Sequence, residues 1–508
     1  MKSKTIMFLF FGVIVFSSGS LSVLSQSPWN IILILLLTFP IFFYVLNYVV
    51  SQESFFNRLL NISLFGSIFL YGYFFFGLSW VSSAFHYKAE LEGLKSLSIF
   101  GLPFLLTLVS LPGWLFTAFF WGPGLQKYIA VALGIVAGEY IRGALFTGFP
   151  WILFGHSLSF DDRAMQIMSA IGAQGASFLI VLFALTPALL FRKKTFIYGL
   201  MSGMIMPCLI AYGFLKIPDE LNFSKKDFLL VQPNISQDVK MNDNSFSSSV
   251  DRFITLSSGY PNVDLIIWPE SALPILLEDS DQTRKDIMDS IDGDSKLLAG
   301  SIRVDQNGSY TNSALLIDDN SNINLTYDKI HLVPFGEYLP FSNFINNFKF
   351  LEIISSDNGF KKGQSPEFIK TPIGLARLLI CYEIIFSKEI ILSSERPDVL
   401  INITNDAWFD NFSGPYQHFD NARFRAIEYG LPVLRSANTG ISGVIGPYGR
   451  VLEKINLGGA GVIYSFLPQK IEKTFFSKFG DFTLLILFIL CILSFRKNLM
   501  REYFYGKK

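Results

Sequence analysis

The chain has 508 residues, of which 51% are hydrophobic and 16% charged, and its 41 basic and 41 acidic side chains leave a formal net charge of +0. A mean hydropathy of +0.41 excludes an ordinary soluble protein of several domains. The balanced charge, with no basic stripe, removes the electrostatic case for nucleic acid as a partner.

Apolar residues concentrate before about Leu215 and again after Gly480, with a stretch of normal soluble composition between them. Windows of about 20 apolar residues, matched to a ~30 Å hydrocarbon core, predict seven spans centred near Val13, Leu36, Phe69, Leu106, Ile135, Leu179 and Met204. An eighth centres near Leu487. Lys2, Lys4, Arg58, Lys127, Arg192, Lys193, Lys194, Arg496, Lys497 and Arg501 fall in short loops on one side, against Lys88, Lys95 and Arg163 on the other. The positive-inside rule then puts both termini in the cytoplasm and the region from about Pro218 to Phe475 outside it. Seven spans before that region give the same parity. Lys2 and Lys4 ahead of a short apolar run also fit a signal peptide, but removing the first span would break the agreement of parity with charge, which favours its retention. Within the fifth span Glu139 and Arg142 stand one helical turn apart, an arrangement costly in lipid unless they pair or face a polar cavity. An internal salt bridge is one reading, and a contact with a lipid headgroup or with the soluble region is the other. Gly148 to Trp151, GFPW, reads as an interfacial turn with an aromatic anchor.

From Asp227 the texture changes to short β-branched runs separated by polar helical stretches. DFLLVQPN, VDLIIWPE, KLLAGSIRV, SALLID, LARLLICYE, DVLINITND, PVLRSANTG and GVIGPYGRV read as strands, and 247–258, 282–290 and 417–429 as helices. The alternation predicts one α/β domain. The fold class is therefore a polytopic α-helical membrane protein of eight transmembrane helices with an inserted α/β domain, divided as 1–217, 218–475 and 476–508.

Three strand ends in the domain carry residues capable of chemistry. In WPESALP, Glu270 emerges from a buried strand beside a proline turn, where desolvation suits a carboxylate to act as a general base. YDKIHLVPFGEYLP supplies Lys329, able to stabilise a developing oxyanion, and Glu337, able to hold that lysine. In LLICYEIIF, Cys381 ends an apolar strand. The other cysteines, Cys208 and Cys491, lie inside apolar runs, so Cys381 has no thiol partner in a polar stretch and is either a packed thiol or a reactive one. Each residue alone has an ordinary explanation. In the order Glu, Lys, Cys they supply a base, a cation for a tetrahedral oxyanion and a nucleophile. His331 and His418 read as structural, and scattered histidines without paired cysteines disfavour a metal.

These residues resemble the carbon-nitrogen hydrolase or nitrilase superfamily, whose catalytic set is Glu, Lys and Cys in this order. The whole chain is similar to the apolipoprotein N-acyltransferase family through WPESALP, YDKIHLVPFGEYLP, ICYEIIF, TNDAWF and GPYQHFDNARFRAIEYGLPVLRSANTG, together with the placing of the spans. The resemblance implies a nitrilase-like αββα sandwich on the periplasmic side of a bacterial cytoplasmic membrane, with Glu270 as base, Lys329 as oxyanion stabiliser and Cys381 as nucleophile. It also implies that Glu337 supports the lysine, that Tyr382 and Glu383 shape the site, and that Trp408 lies near the acyl-chain entrance. The implied reaction is ping-pong. Cys381 takes an acyl group from a glycerophospholipid, typically phosphatidylethanolamine, as a thioester and passes it to the N-terminal amine of the S-diacylglyceryl cysteine of an apolipoprotein. No cofactor is implied. Met241 stands where the family often has tryptophan after VQPNISQDVK, which replaces a rigid ring at the substrate entrance by a flexible apolar chain. Apolar residues from Phe341 to Phe360, after Gly336 and Pro340, suggest a lid dipping into lipid or ordinary packing under a long loop. A membrane-tethered amidase and a transporter with an outer binding module are the competing readings. Eight spans exceed what an anchor needs, and charges within the spans are too few for coupled transport.

Overall fold

A computed structural model describes residues 2–51, 53–86, 95–236, 246–260, 262–271, 273, 275–291, 293–305, 308–338, 359–364, 366–391, 393 and 395–504. Met241, Pro340 and the apolar stretch 341–358 lie outside the described residues. The chain divides into two compact units, one of residues 1–82, 96–217 and 473–508, the other of residues 83–95 and 218–472.

The first unit is helical. Its elements are α1 (Lys2–Ser22), α2 (Leu35–Val49), α3 (Phe55–Gly77), α4 (Leu102–Phe119), α5 (Gln126–Ala144), α6 (Met168–Ala184), α7 (Thr186–Leu190), α8 (Phe196–Gly203) and α9 (Ile205–Lys216), and beyond the other unit the short α13 (Phe475–Phe479) and α14 (Phe482–Phe504). Helix therefore occupies all eight predicted places. Among the described residues, six helical stretches are long and apolar enough to cross a membrane: Thr5–Ser25, Ile32–Val49, Phe55–Gly77, Leu97–Phe119, Ala164–Ala184 and Phe196–Lys216. The predicted fifth span is the 19-residue α5, which carries Lys127, Glu139 and Arg142 and so falls short on composition. The predicted eighth lies in the 23-residue α14, of which Phe482–Leu493 is the apolar part among the residues whose side chains are described.

Glu139 and Arg142 do not form the mutual salt bridge that the sequence suggested; each holds the backbone of the loop that follows α5. Arg142 donates from Nη1 to the carbonyls of Phe149 at 2.5 Å and Trp151 at 2.8 Å, and Glu139 Oε1 accepts from the Phe154 N–H at 2.7 Å. A non-helical break among apolar helices leaves carbonyls and N–H groups that water cannot reach, and the two charged side chains satisfy them.

Helices α4 and α5 approach closely because small residues line their contact. A Cβ on Gly113 would lie 2.8 Å from the Gly138 nitrogen, and Thr117 Oγ1 donates to the Ala130 carbonyl at 3.1 Å.

The second unit contains two six-stranded sheets. The first has the order β12-β1-β2-β3-β4-β5 and the second β11-β10-β9-β8-β7-β6. The strands are β1 (Phe223–Gln232), β2 (Leu265–Ile267), β3 (Lys296–Val304), β4 (Tyr310–Ile317), β5 (Ile323–Asp328), β6 (Ile369–Thr371), β7 (Gly374–Ile380), β8 (Val399–Thr404), β9 (Val433–Ala437), β10 (Ser442–Ile445), β11 (Val451–Ile455) and β12 (Gly461–Pro468). Parallel pairing joins β1 to β2 to β3 in the first sheet and β7 to β8 to β9 in the second. In both triplets the central strand is buried along its whole length, as a strand covered on two faces must be. Helices α10 (Phe246–Ser257) and α11 (Asp281–Ser290) cover the first sheet, placing Phe253, Ile287 and Met288 against Leu229, Ile266 and Leu297. Helix α12 (Ser413–Tyr429) covers the second, with Phe419 over Gly443 of β10. The inner faces meet where the Ser436 hydroxyl of β9 donates to the carbonyls of Val231 on β1 and Ile267 on β2, at 3.0 and 3.2 Å. Layers of helix, sheet, sheet and helix result. GVIGPYGRV, read as one strand, is instead the hairpin of β10 and β11, turned by Gly449 at φ +73°.

The helix contact gives a test of packing. Gly113→Leu is expected to lower the stability of the detergent-solubilised protein by about 1–3 kcal/mol, as overpacking does, read as a fall in the thermal unfolding midpoint. Gly12→Leu, where a Cβ meets only Ile68 Cδ1 at 3.9 Å, should leave the midpoint near that of the wild type.

Candidate active site

The three strand ends singled out in the sequence converge in the second unit. Glu270 follows β2 in a tight turn that lies directly on β3. A Cβ on Gly300 of β3 would lie 2.6 Å from the Glu270 Cα, so only glycine admits the turn there. Trp268 fixes its base, with the main-chain N–H donating to the Leu298 carbonyl at 2.9 Å, the indole to Ser257 Oγ at 2.9 Å, and the ring 4.5 Å from that of Phe253. The Glu270 side chain is buried. Its Oε2 accepts from the Asn405 N–H at 2.9 Å, and its Oε1 accepts from Asn312 Nδ2 at 2.8 Å and lies 3.5 Å from Lys329 Nζ.

Lys329, just past β5, is 1% exposed. A buried ammonium needs compensating charge, and two carboxylates provide it: Glu337 Oε1 at 2.9 Å and Glu270 Oε1 at 3.5 Å. Burial pushes the lysine pKa down, but Glu337 and Glu270 outweigh it and hold the group well above the usual lysine range, so it is charged at every physiological pH. Glu337 is anchored in turn, its Oε2 accepting from the Val333 N–H at 2.8 Å. The Asn312 amide, on β4, donates to Glu270 and to Glu337, both at 2.8 Å, and so ties the two carboxylates together.

Cys381 begins a 3₁₀ turn at the end of β7 and is 7% exposed. Its φ of +53° lies in the left-handed region, as for a nucleophile turned out of a strand end. Burial pushes its thiol pKa up and Glu270 adds to the shift; Lys329 opposes them without reversing it. Burial and Glu270 thus favour the thiol over the thiolate.

Glu383 joins the cysteine turn to the lysine loop. Its Oε2 accepts from the Ile380 N–H at 2.7 Å, and its Oε1 accepts from the N–H groups of Ile330 at 2.7 Å and His331 at 2.9 Å. One carboxylate thus fixes the residues flanking both Lys329 and Cys381. Tyr382 is buried, with its ring 4.8 Å from Phe386 and 5.5 Å from His331. Trp408 lies partly exposed in the 3₁₀ turn Asp406–Phe409.

Beneath the cysteine is a polar group that the sequence reading did not assemble. Asp406, His418 and Arg435 are all buried, with Asp406 Oδ1 2.8 Å from His418 Nδ1 and Arg435 Nη2 donating to Asp406 Oδ2 at 2.8 Å. His418 does pack inside the domain, as the sequence suggested, but against the Cys381 carbonyl, 3.2 Å from its Nε2. Among the described residues no cluster has the donors for a metal ion.

Two six-stranded sheets with a Glu–Lys–Cys set at their strand ends define a carbon-nitrogen hydrolase domain, here joined to a unit of apolar helices. Family models agree: carbon-nitrogen hydrolase matches residues 230–474, and the apolipoprotein N-acyltransferase N-terminal domain matches residues 18–186. An apolipoprotein N-acyltransferase of Rhodopseudomonas palustris is 32% identical over 96% of this chain and 95% of its own length, and one of Brucella suis is 33% identical over 89% of each. Among solved structures, the nitrilase-superfamily protein Nit3 of Saccharomyces cerevisiae aligns with 49% of this chain and 91% of its own, at 18% identity and a TM-score of 0.37. The chain belongs to the apolipoprotein N-acyltransferase family.

Asp406 gives a pH-dependent prediction. Burial pushes its carboxyl pKa up, but Arg435 and His418 outweigh it and hold the group below the usual aspartate range. A carboxyl with a depressed folded pKa contributes stability that is full above its unfolded pKa of about 3.9 and is lost as the pH falls through the folded value. The unfolding midpoint of Asp406→Asn should therefore lie well below that of the wild type at pH 7, and the gap should narrow on acidification below about pH 4.

Proposed function

We propose that the hydrolase unit transfers a fatty acyl group from a glycerophospholipid, typically phosphatidylethanolamine, to the N-terminal amine of the S-diacylglyceryl cysteine of an apolipoprotein, through a thioester on Cys381. The observation that carries this reading is a buried cysteine at the end of β7 in the same site as a buried lysine held by Glu337 at 2.9 Å and Glu270 at 3.5 Å.

Glu270 takes the proton from the Cys381 sulfur as it attacks the ester carbonyl. The tetrahedral oxyanion is met by the Lys329 ammonium, which Glu337 and Asn312 keep in place. Collapse breaks the ester C–O bond, and Glu270 returns the proton to the departing lysophospholipid alkoxide. In the second half the α-amine attacks the thioester and Glu270 accepts its proton. The C–S bond then breaks, leaving the amide and a cysteine thiolate that recovers the proton. Mean hydropathy, apolar helices and family membership make this a membrane protein. Its division at 1–217, 218–475 and 476–508, its eight spans, the cytoplasmic placing of both termini and the periplasmic placing of the hydrolase unit belong to the same proposal, supported by the asymmetry of lysine and arginine between the loops. Relatives that share the whole chain and are N-acyltransferases leave the amidase and transporter readings without support.

Incubating the purified protein with phospholipid labelled in its acyl chain, then quenching, should leave protein-bound label that hydroxylamine removes. Cys381→Ser should carry none. Glu270→Gln and Lys329→Met should each slow labelling by about 10²–10³-fold, as loss of a base or of an oxyanion partner does. Persistent labelling of the serine variant, or an unlabelled wild type, sinks the reading.

A further inference from the structure

Cys381 is not held in its turn by its neighbours in sequence alone. A non-glycine residue at φ +53° is strained and persists only where the surroundings over-determine it. Here its carbonyl accepts from two buried side chains, Asn402 Nδ2 on β8 and His418 Nε2 on α12, each at 3.2 Å. Both donors are themselves fixed. Arg435 of β9 donates from Nη1 to Asn402 Oδ1 and from Nη2 to Asp406 Oδ2 at 2.8 Å, and the Thr404 hydroxyl donates to Asp406 Oδ1 at 3.0 Å. His418 Nδ1 lies 2.8 Å from Asp406 Oδ1 and 3.0 Å from Arg435 Nη2. Thr404, Asn402, His418 and Arg435 are 0% exposed and Asp406 2%, so no solvent can replace any of these partners.

We propose that His418 is a positioning residue for the nucleophile. Its Nε2–H holds the Cys381 carbonyl, with Nδ1 accepting from Arg435 Nη2, which Asp406 fixes in turn, and thereby holds the backbone angle that directs the sulfur toward Glu270 and Lys329. The inference rests on the reading of Cys381 as the acyl carrier.

The ring's surroundings place its proton. Nδ1 faces an acceptor, Asp406, and a donor, Arg435, whereas Nε2 faces the carbonyl oxygen of Cys381. Whatever Nδ1 does, Nε2 must carry a hydrogen for the contact to be attractive. Burial and then Arg435 hold the imidazole pKa below its usual range, against the opposing pull of Asp406 and the Cys381 carbonyl. The ring therefore remains a donor without working as a proton shuttle near neutral pH. Asn402 cannot replace it, because its amide also donates to the Leu379 carbonyl at 3.0 Å. Without His418 the Cys381 carbonyl keeps a single shared donor in a dry site, and the turn is free to relax toward negative φ. Displacing a reacting atom by about 1 Å costs on the order of 100-fold in rate.

The test uses the full chain in detergent and measures single-turnover acylation by labelled phosphatidylethanolamine alongside the unfolding midpoint. His418→Ala should acylate at least about tenfold more slowly per folded molecule, and His418→Gln, whose Nε2–H reaches the same carbonyl, should recover most of that rate. A merely structural histidine would lower the midpoint in both variants and leave the rate alone; an alanine variant within about twofold of the wild type overturns the proposal. Should that variant fail to fold, ¹⁵N resonances of the wild type, which has 4 histidines, decide the matter. Nε2 of His418 is expected to be protonated, and a ring protonated on Nδ1 alone overturns the proposal. A wild type that never acylates refutes the acyl-carrier reading, whereas equal acylation of wild type and alanine variant refutes only the role of His418.

Discussion

An ammonium group buried to 1% exposure cannot exist in a protein interior without opposite charge at contact distance, and that requirement at Lys329 organises the rest of the site. Glu337 meets most of it at 2.9 Å, and Glu270 at 3.5 Å supplies the rest while being oriented by the same ammonium. The Asn312 amide spans the two carboxylates, so like charges that would otherwise repel are held side by side by a shared donor. In the proposed reaction the lysine stays cationic while the carboxylate and the sulfur change charge, and a fixed cation is what a transient oxyanion requires.

The site is assembled from both sheets. Glu270, Asn312 and Lys329 come from the first, Cys381, Thr404 and Arg435 from the second, and Asn405 crosses between them by donating its N–H to Glu270. Glu383 makes the complementary crossing, reaching from the cysteine turn to the backbone beside the lysine. Relative sliding of the sheets would break these contacts together, so the mutual placing of Glu270, Lys329 and Cys381 depends on the packing between the layers rather than on any one loop.

Glu270, Lys329, Cys381 and the Glu337 that holds the lysine were legible in the sequence, whereas Asn312 and the Asp406–His418–Arg435 group were not, for a physical reason. Glu270, Lys329 and Cys381 stand out because each is a reactive type that interrupts or ends an apolar run, and a strand pattern delivers such residues to a sheet edge. Asn312 is the second residue of TNSALLI, where a small polar side chain near the start of a strand carries no signal. Its role appears only once β4 is seen to lie between β3 and β5. His418, Asp406 and Arg435 are separated in sequence and meet through the parallel pairing of β8 with β9 and the packing of α12, none of which periodicity encodes. The strands β5, β6 and β12 escaped notice: β5 and the three-residue β6 are only partly buried and interrupted by polar residues, and β12 turns Tyr464 and Phe466 outward. Glu139 and Arg142 were legible as costly in lipid, yet their partners are main-chain atoms, and a sequence never advertises which carbonyl lacks a donor.

The hydrolase unit enters at β1 and leaves at β12, which are antiparallel neighbours with Phe223 opposite Pro468. Adjacent strands are separated by roughly 5 Å, so the whole sandwich departs from and returns to nearly one point. A fold with such ends behaves as a cassette. It can be spliced between two helices of a host without prying them apart, and the same geometry lets one hydrolase architecture be carried by unrelated anchors as readily as by none.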